Sequence, residues 1–206
     1  MKLKVIFFEL IQKYTNDQRL IEPLWTEIEK NYSKKKRHYH NLTHLENLYF
    51  QLSKVKSEID DWDTLLFSLF YHDVIYNASK RDNEEKSADL AKENLLLIAY
   101  PIDKINTCYE QIMATKSHSV SDNNDTNLFT DADLSILGQG WDVYSIYCQQ
   151  VRKEYSVYPD FLYNPGRKKV LQHFLSMDRI FKTDYFFEKF EKQARENLQG
   201  ELNALK

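Results

Sequence analysis

The chain has 206 residues, with 28 Lys and Arg against 31 Asp and Glu, a formal net charge of −3 and 42% hydrophobic residues. That describes one globular domain able to enclose its own core, and it leaves no basic surplus of the kind that neutralises many phosphates, so general nucleic-acid binding is not expected. Only four glycines occur, the first at Gly138, so the glycine-rich phosphate loops of dinucleotide-binding and P-loop proteins have no place in the first two-thirds of the chain.

Four Gly and four Pro suit long helices better than a turn-rich β fold. The expectation is an all-α protein of eight to ten helices in a single domain over residues 1–206. Cys108 and Cys148 stand forty positions apart without CxxC spacing, which reads as two reduced structural thiols. Near the N-terminus, Val5-Ile6-Phe7-Phe8 is the only unbroken apolar run before Glu9. It is too short for a signal sequence or a membrane span, so a cytoplasmic protein is expected.

Apolar residues recur at helical spacing along the chain. Leu45, Leu48, Leu52 and Val55 form one stripe; Trp62, Leu65, Leu69, His72 and Tyr76 form the next, after an Asp60-Asp61-Trp62-Asp63 cluster suited to an N-cap and first-turn acids. Asp82-Asn83-Glu84-Glu85 has capping-box spacing ahead of an inner face of Ala88, Ala91, Leu95 and Ile98. Pro101 suits a first helical turn leading into Ile102, Ile105, Tyr109 and Ile112. Residues 119–127 read as a polar loop, and a short helix is predicted from Asp131 to Leu137, stopped by Gly138. Three further stripes follow: Tyr144, Tyr147, Val151 and Tyr155; Val170, Leu171 and Phe174 after Asn164-Pro165; and Phe186, Phe187, Phe190 and Ala194. The tyrosines read first as core and second as a stacking surface for a nucleobase.

Three of the six histidines fall within seven residues, in Arg37-His38-Tyr39-His40-Asn41-Leu42-Thr43-His44. A helix through His40 and His44 would set both rings on one face, a spacing that suits a metal, although exposed or capping histidines are the plainer reading. His72-Asp73 sets a nitrogen ligand beside an oxygen ligand directly after the apolar run 65–71. There a buried charge needs compensation, which a metal would supply; a satisfied core histidine beside a helix-terminal aspartate is the alternative. Asp131 and Asp133 add two carboxylates at the predicted helix start, one suited to capping and the other free to complete a His/His/Asp/Asp set. Such mixed ligation fits Mn, Fe, Zn or Mg without selecting among them.

In order and context these residues resemble the HD superfamily of metal-dependent phosphohydrolases, in which a His, a His-Asp dipeptide and a distal Asp bind metal on a helical scaffold. The chain is similar to a bacterial family of about this length, predicted as HD-type phosphohydrolases. The likeness lies in Arg37 to Asn41, Tyr71-His72-Asp73, Asn83-Glu84-Glu85-Lys86-Ser87-Ala88, Thr115-Lys116-Ser117-His118, Asp131 to Gly138 and Arg152-Lys153-Glu154-Tyr155, so that it spans nearly the whole chain. Tyr39-His40-Asn41-Leu42-Thr43-His44 and Ala132-Asp133-Leu134-Ser135 also look like motifs of the cyclic-nucleotide phosphodiesterases. Those enzymes continue His-Asp with His-Pro-Gly where Val74-Ile75-Tyr76-Asn77 stands here, and their nucleotide-clamping glutamine has no counterpart that can be placed, so cyclic-nucleotide specificity is not implied.

The resemblance implies a hydrolase for a phosphate ester or anhydride of a small molecule, nucleotides among the candidates, using one or two divalent metals. His44, His72, Asp73 and Asp133 are the implied ligands and His40 the implied proton donor to the leaving oxygen. A metal so held would acidify a water and stabilise charge on phosphoryl oxygens. His118 has three readings: ligand of a second metal, phosphate donor with Lys116, or surface residue. Glu84 or Glu85 could act beside the metal as a base, although capping explains Glu85 without chemistry. Asn41, Lys116, Arg152 and Arg167 are candidate substrate contacts, with solvated faces and surface ion pairs as the plainer reading of the cations; the run Lys34-Lys35-Lys36-Arg37 could draw anions toward the cluster, although a solvated basic loop is its plainer reading. Two other classes compete: an HD-type module that binds a nucleotide or partner without turnover, since fold does not determine function, and a di-iron oxidative site, which needs more histidine ligands than His118 alone supplies.

Overall fold

The computed structural model describes residues 2–205. Ten α-helices follow in order: α1 (Lys2–Ile11), α2 (Gln18–Tyr32), α3 (Leu42–Lys54), α4 (Trp62–Tyr71), α5 (Asn83–Leu97), α6 (Ile102–Ala114), α7 (Asn124–Leu134), α8 (Trp141–Glu154), α9 (Asp160–Ser176) and α10 (Asp184–Ala204). Short 3₁₀ turns lie at Lys56–Glu58 and Ser135–Gly138, and no strand occurs among the described residues. The architecture is all-α, as the glycine and proline counts predict, and among the described residues no helix is long and apolar enough to cross a membrane.

Helix α4 is the axis of the molecule. Every residue from Thr64 to Tyr71 is buried, the pattern of a helix that is apolar on all sides and enclosed by others. It packs against α1, α3, α5, α6 and α7. Asp61 caps it by accepting from the Thr64 N–H, and Asp63 stands in its first turn. Its stripe breaks earlier than predicted: the helix ends at Tyr71, His72 is the C-cap, and Tyr76 lies in the following loop. Leu45, Leu48, Leu52, Ala88, Ala91, Leu95, Ile105 and Ile112 are core residues, as their spacing predicts, whereas Val170 is exposed. Cys108 and Cys148 are both free thiols, the first buried and the second half-buried, and burial pushes both up to about 12.

Three predicted details are corrected. Residues 119–127 are not one loop, because α7 already begins at Asn124, with Asn123 accepting from the Thr126 N–H as its cap. Its polar residues hide it in the sequence and are satisfied in the fold: the buried Asp125 carboxylate accepts from the backbone N–H groups of Asp60 and Asp61, and the buried Thr130 hydroxyl donates to the Thr126 carbonyl. Asp131 and Asp133 therefore lie toward the end of a helix rather than at its start. The capping box at Asp82 does not form: Asp82 pairs with Lys86, and Glu85 pairs with Lys116. Helix α9 begins at Asp160 and takes Pro165 into its interior, where Asn164-Pro165 had suggested a boundary.

Gly138 does close the 3₁₀ turn after α7, but for a different reason than a left-handed cap. No glycine has positive φ; instead α10 passes so close that a Cβ on Gly138 would lie 2.5 Å from Phe190 Cβ and 2.6 Å from its carbonyl oxygen. Left-handed backbone occurs at two non-glycine positions, Ala99 (φ 54°) and His118 (φ 52°). Ala99 terminates α5, with its N–H donating to the Leu96 carbonyl and that of Tyr100 to the Leu95 carbonyl, the hydrogen-bond pair that usually recruits glycine.

Candidate functional site

Three helix ends and one inter-helix turn bring the ionisable residues together. Asn41 caps α3, its Oδ1 accepting from the N–H of Thr43 (2.9 Å) and His44 (3.4 Å), which sets His44 in the first turn. His72 closes α4 and Asp73 follows it. Asp133 stands in the last turn of α7, and His118 lies just past α6. A helix through both His40 and His44 is not formed, since α3 starts after His40.

The His44 and His72 Nε2 atoms lie 3.1 Å apart. Asp133 Oδ1 is 3.2 Å from His44 Nε2 and 3.8 Å from His72 Nε2, and Asp73 Oδ2 is 3.2 Å from His72 Nε2 and 3.8 Å from His44 Nε2. Two imidazoles and two carboxylates thus point their heteroatoms into one small volume, mostly shielded from solvent. An ion bound at ~2.1 Å needs neighbouring donors roughly 3.0–3.4 Å apart in octahedral or tetrahedral geometry, so this donor set suits one. His72 Nδ1–H donates to the Leu69 carbonyl at 2.9 Å, which leaves the Nε2 lone pair facing the cluster in the neutral ring. The group His44, His72 and Asp133 could hold a metal ion, with Asp73 flanking both imidazoles.

Charges in the cluster shift one another. Burial lowers the His72 pKa, but Asp73 and Asp133 outweigh it and push it up to about 9. Burial likewise raises Asp73 and Asp133; His72, His40 and His44 bring Asp73 down, and His118, His44 and His72 hold Asp133 well below the carboxylate range. His118 donates from Nε2 to Asp133 Oδ2 at 3.0 Å, its side chain is 14% exposed, and its ring packs on Phe174. That contact removes the surface reading of His118 and ties it to a carboxylate rather than to Lys116.

His40 lies beside the cluster, its ring centroid 6.0 Å from that of His44 and stacked at 4.1 Å on Tyr76. It is gripped by Glu154, a residue that did not stand out as functional in the sequence. Glu154 Oε1 accepts from the backbone N–H groups of His38, Tyr39 and His40 at 2.8, 2.8 and 3.0 Å, while Oε2 accepts from His40 Nδ1 at 2.6 Å. Burial lowers the His40 pKa, but Asp73, Glu154 and Asp133 outweigh it and the net direction is up. The signal for Glu154 was present: it follows Val151 by three on the inward stripe of α8, where an unpaired acid would be expensive. Arg37 departs from the solvated basic run in which it stands. Far from a solvated anion lure, it is buried, donating to the carbonyls of His40 (3.1 Å), Asp73 (2.5 Å) and Val74 (2.8 Å), and so clamps the loop before α3 to the loop after α4. Lys34, Lys35 and Lys36 remain exposed.

The remaining sequence candidates hold partners of their own. Asn41 is an N-cap. Lys116 pairs with Glu85, Arg152 with Asp160 and the carbonyls of Tyr155 and Tyr158, and the buried Arg167 with both oxygens of Glu201 at 2.7 and 2.8 Å. Glu84 stands in the first turn of α5 beside Glu85. Asp131, two residues from Asp133, is fully buried on another side, where its carboxylate accepts from the backbone N–H groups of Lys182 and Thr183, the Thr183 hydroxyl and the Lys182 ammonium. Tyr144 is core, its hydroxyl on Glu201, and Tyr147 packs on Tyr39. Compared with family models, curated proteins and solved structures, the chain matches none of them.

Proposed function

We propose that this protein is a metal-dependent phosphohydrolase of the HD type, cleaving a phosphate ester of a small molecule. The observation that carries the reading is the convergence of His44, His72, Asp73 and Asp133 on one volume, with a Glu154-held imidazole beside it. A divalent ion (Mn, Fe, Zn or Mg) held by those four residues would supply an acidified water and positive charge against the phosphoryl oxygens. His118, bonded to the second oxygen of Asp133, orients that carboxylate.

The chain's own acid–base chemistry rests on His40. Its Nδ1–H is committed to Glu154, and in the imidazolium form favoured by its neighbours the Nε2 proton is the one available for transfer. In hydrolysis the oxygen of a water bonds to phosphorus and the bond from phosphorus to the leaving oxygen breaks. His40 gives its proton to that leaving oxygen and recovers one from the water. Arg37 and Tyr32 hold the backbone of both ligand loops, Tyr32 by accepting from the Asp73 N–H at 3.1 Å.

The test is metal content of protein purified without chelator, together with phosphate release from mononucleotides, dinucleotides and sugar phosphates with Mn, Mg, Fe or Zn added. The expected result is one or two divalent ions per chain, turnover abolished in Asp73→Ala, and turnover reduced about 10²-fold or more in His40→Asn with the metal retained. Protein that binds no divalent ion overturns the reading; bound metal and ligand affinity without turnover would assign a binding module instead.

A further inference from the structure

A cavity of about 210 Å³ opens directly onto the cluster, with His44 and Asp133 in its wall. Its other walls come from α3, the end of α7 with its 3₁₀ turn, and the start of α8. Tyr39, Leu48 and Ile136 supply apolar surface, and Asn47, Gln51 and Gln139 supply neutral amides. No lysine or arginine lines it. Lys189 reaches the Gln51 amide oxygen at 3.5 Å but is occupied with the Tyr185 hydroxyl at 3.0 Å and the Tyr185 and Phe190 rings. Tyr39 links this cavity to the proton donor, since its ring meets both His40 and His44 at 4.9 Å between centroids.

We propose that this cavity holds the leaving group of the substrate, and that the substrate is a phosphomonoester of a neutral alcohol bearing a flat ring with hydrogen-bonding edges, a nucleoside being one such group. The inference rests on the phosphohydrolase reading above and adds the substrate class to it. Gln139 Nε2 is bonded to the Ser135 carbonyl at 3.3 Å, so the Asn47 and Gln51 amides are the groups left to offer donors and acceptors to a neutral polar edge, and an aromatic and aliphatic wall covers its faces. Additional phosphates would need cations. The cavity presents none, and Arg37, Lys116, Arg152 and Arg167 are each committed to carbonyls or carboxylates. Nucleoside di- and triphosphates therefore fit the site poorly.

Two arms test this. With Mn-loaded protein, kcat/KM is expected to be at least tenfold higher for adenosine, guanosine, cytidine or uridine 5′-monophosphate than for the matching di- and triphosphates. Asn47→Leu, on an exposed position that tolerates change, and Gln51→Leu should each raise KM for the preferred monophosphate at least fivefold, and by more than they change KM for phenyl phosphate, whose ring has no hydrogen-bonding edge for the amides to meet. With chelator-treated protein, saturation-transfer NMR should show one or more of the free nucleosides contacting the chain, with the signal reduced in Asn47→Leu. Phenyl phosphate turnover without nucleoside binding, and with mono-, di- and triphosphates treated alike, overturns the cavity assignment and leaves the hydrolase intact. Nucleoside binding without turnover of any phosphate ester upholds the cavity as a nucleoside site and overturns the hydrolase reading.

Discussion

Asp131 and Asp133 are two residues apart on one helix, and the fold gives them separate tasks that mutagenesis can dissociate. Asp131 is fully buried, and its carboxylate is the acceptor for two backbone N–H groups, a hydroxyl and the Lys182 ammonium, whose side chain is only 3% exposed. Asp131→Ala leaves that ammonium and two N–H groups buried without their acceptor. Removing one partner of a buried pair costs about 3–5 kcal/mol, and at roughly 2–4 °C per kcal/mol for a domain of this size the melting temperature should fall by about 6–20 °C. The Asp133 carboxylate faces only imidazoles, so Asp133→Ala should abolish stoichiometric metal while lowering the urea midpoint of chelator-treated protein by less than half as much as Asp131→Ala does. The assays are urea denaturation of metal-free protein and metal content after dialysis against Mn or Zn. Asp131→Ala with an unchanged midpoint and lost metal, or Asp133→Ala with full metal, would refute the division of labour.

Four further outcomes are expected. Gly138→Ala should destabilise by about 3 kcal/mol or more, because its Cβ would meet the Phe190 backbone rather than a flexible side chain, and thermal denaturation reads it directly. Ala99→Gly should raise stability by up to ~1 kcal/mol in urea, since it relieves a left-handed residue at an exposed helix end. Burial raises the Glu201 pKa, but Arg167, Tyr144 and Cys148 outweigh it and hold it below the usual range. The folded value lies below the unfolded one, so this stabilisation is complete above pH ~4.5 and is lost as pH falls through the folded value. The stability gap between the natural chain and Glu201→Gln should accordingly be flat from pH 5 to 7 and shrink below pH 4. Glu154→Gln keeps an acceptor for the three N–H groups but removes the anion paired with His40, so kcat for whichever phosphate ester the proposed assay shows to be turned over should fall ~10-fold with KM and metal content unchanged.

Much of the fold was legible because helices need only local periodicity. The stripes from Leu45 to Val55 and from Ala88 to Leu95 are core faces as spaced, and scarce glycine excluded phosphate loops before any geometry was known. The failures have one cause. The start of α7 was obscured because Asp125 is polar yet buried, and its donors, the Asp60 and Asp61 N–H groups more than sixty positions away, leave no mark on its own neighbourhood. Arg37 looked like part of an exposed basic run for the same reason.

The candidate site divides the same way. His44, His72, Asp73 and Asp133 could be singled out from residue type, spacing and the resemblance that their order suggested, because metal chemistry restricts ligands to a few side chains. That Asp131 serves the start of α10, that Glu154 orients His40, and that Arg167 belongs to Glu201 rather than to a phosphate depend on partners brought together over tens of residues to more than a hundred. Sequence by itself determined the helical class and narrowed the candidate metal ligands to a few His and Asp residues. Only the tertiary structure decided which charges were already paired and which cavity adjoins the cluster, because pairing is a property of distance in space, and chain separation does not encode it.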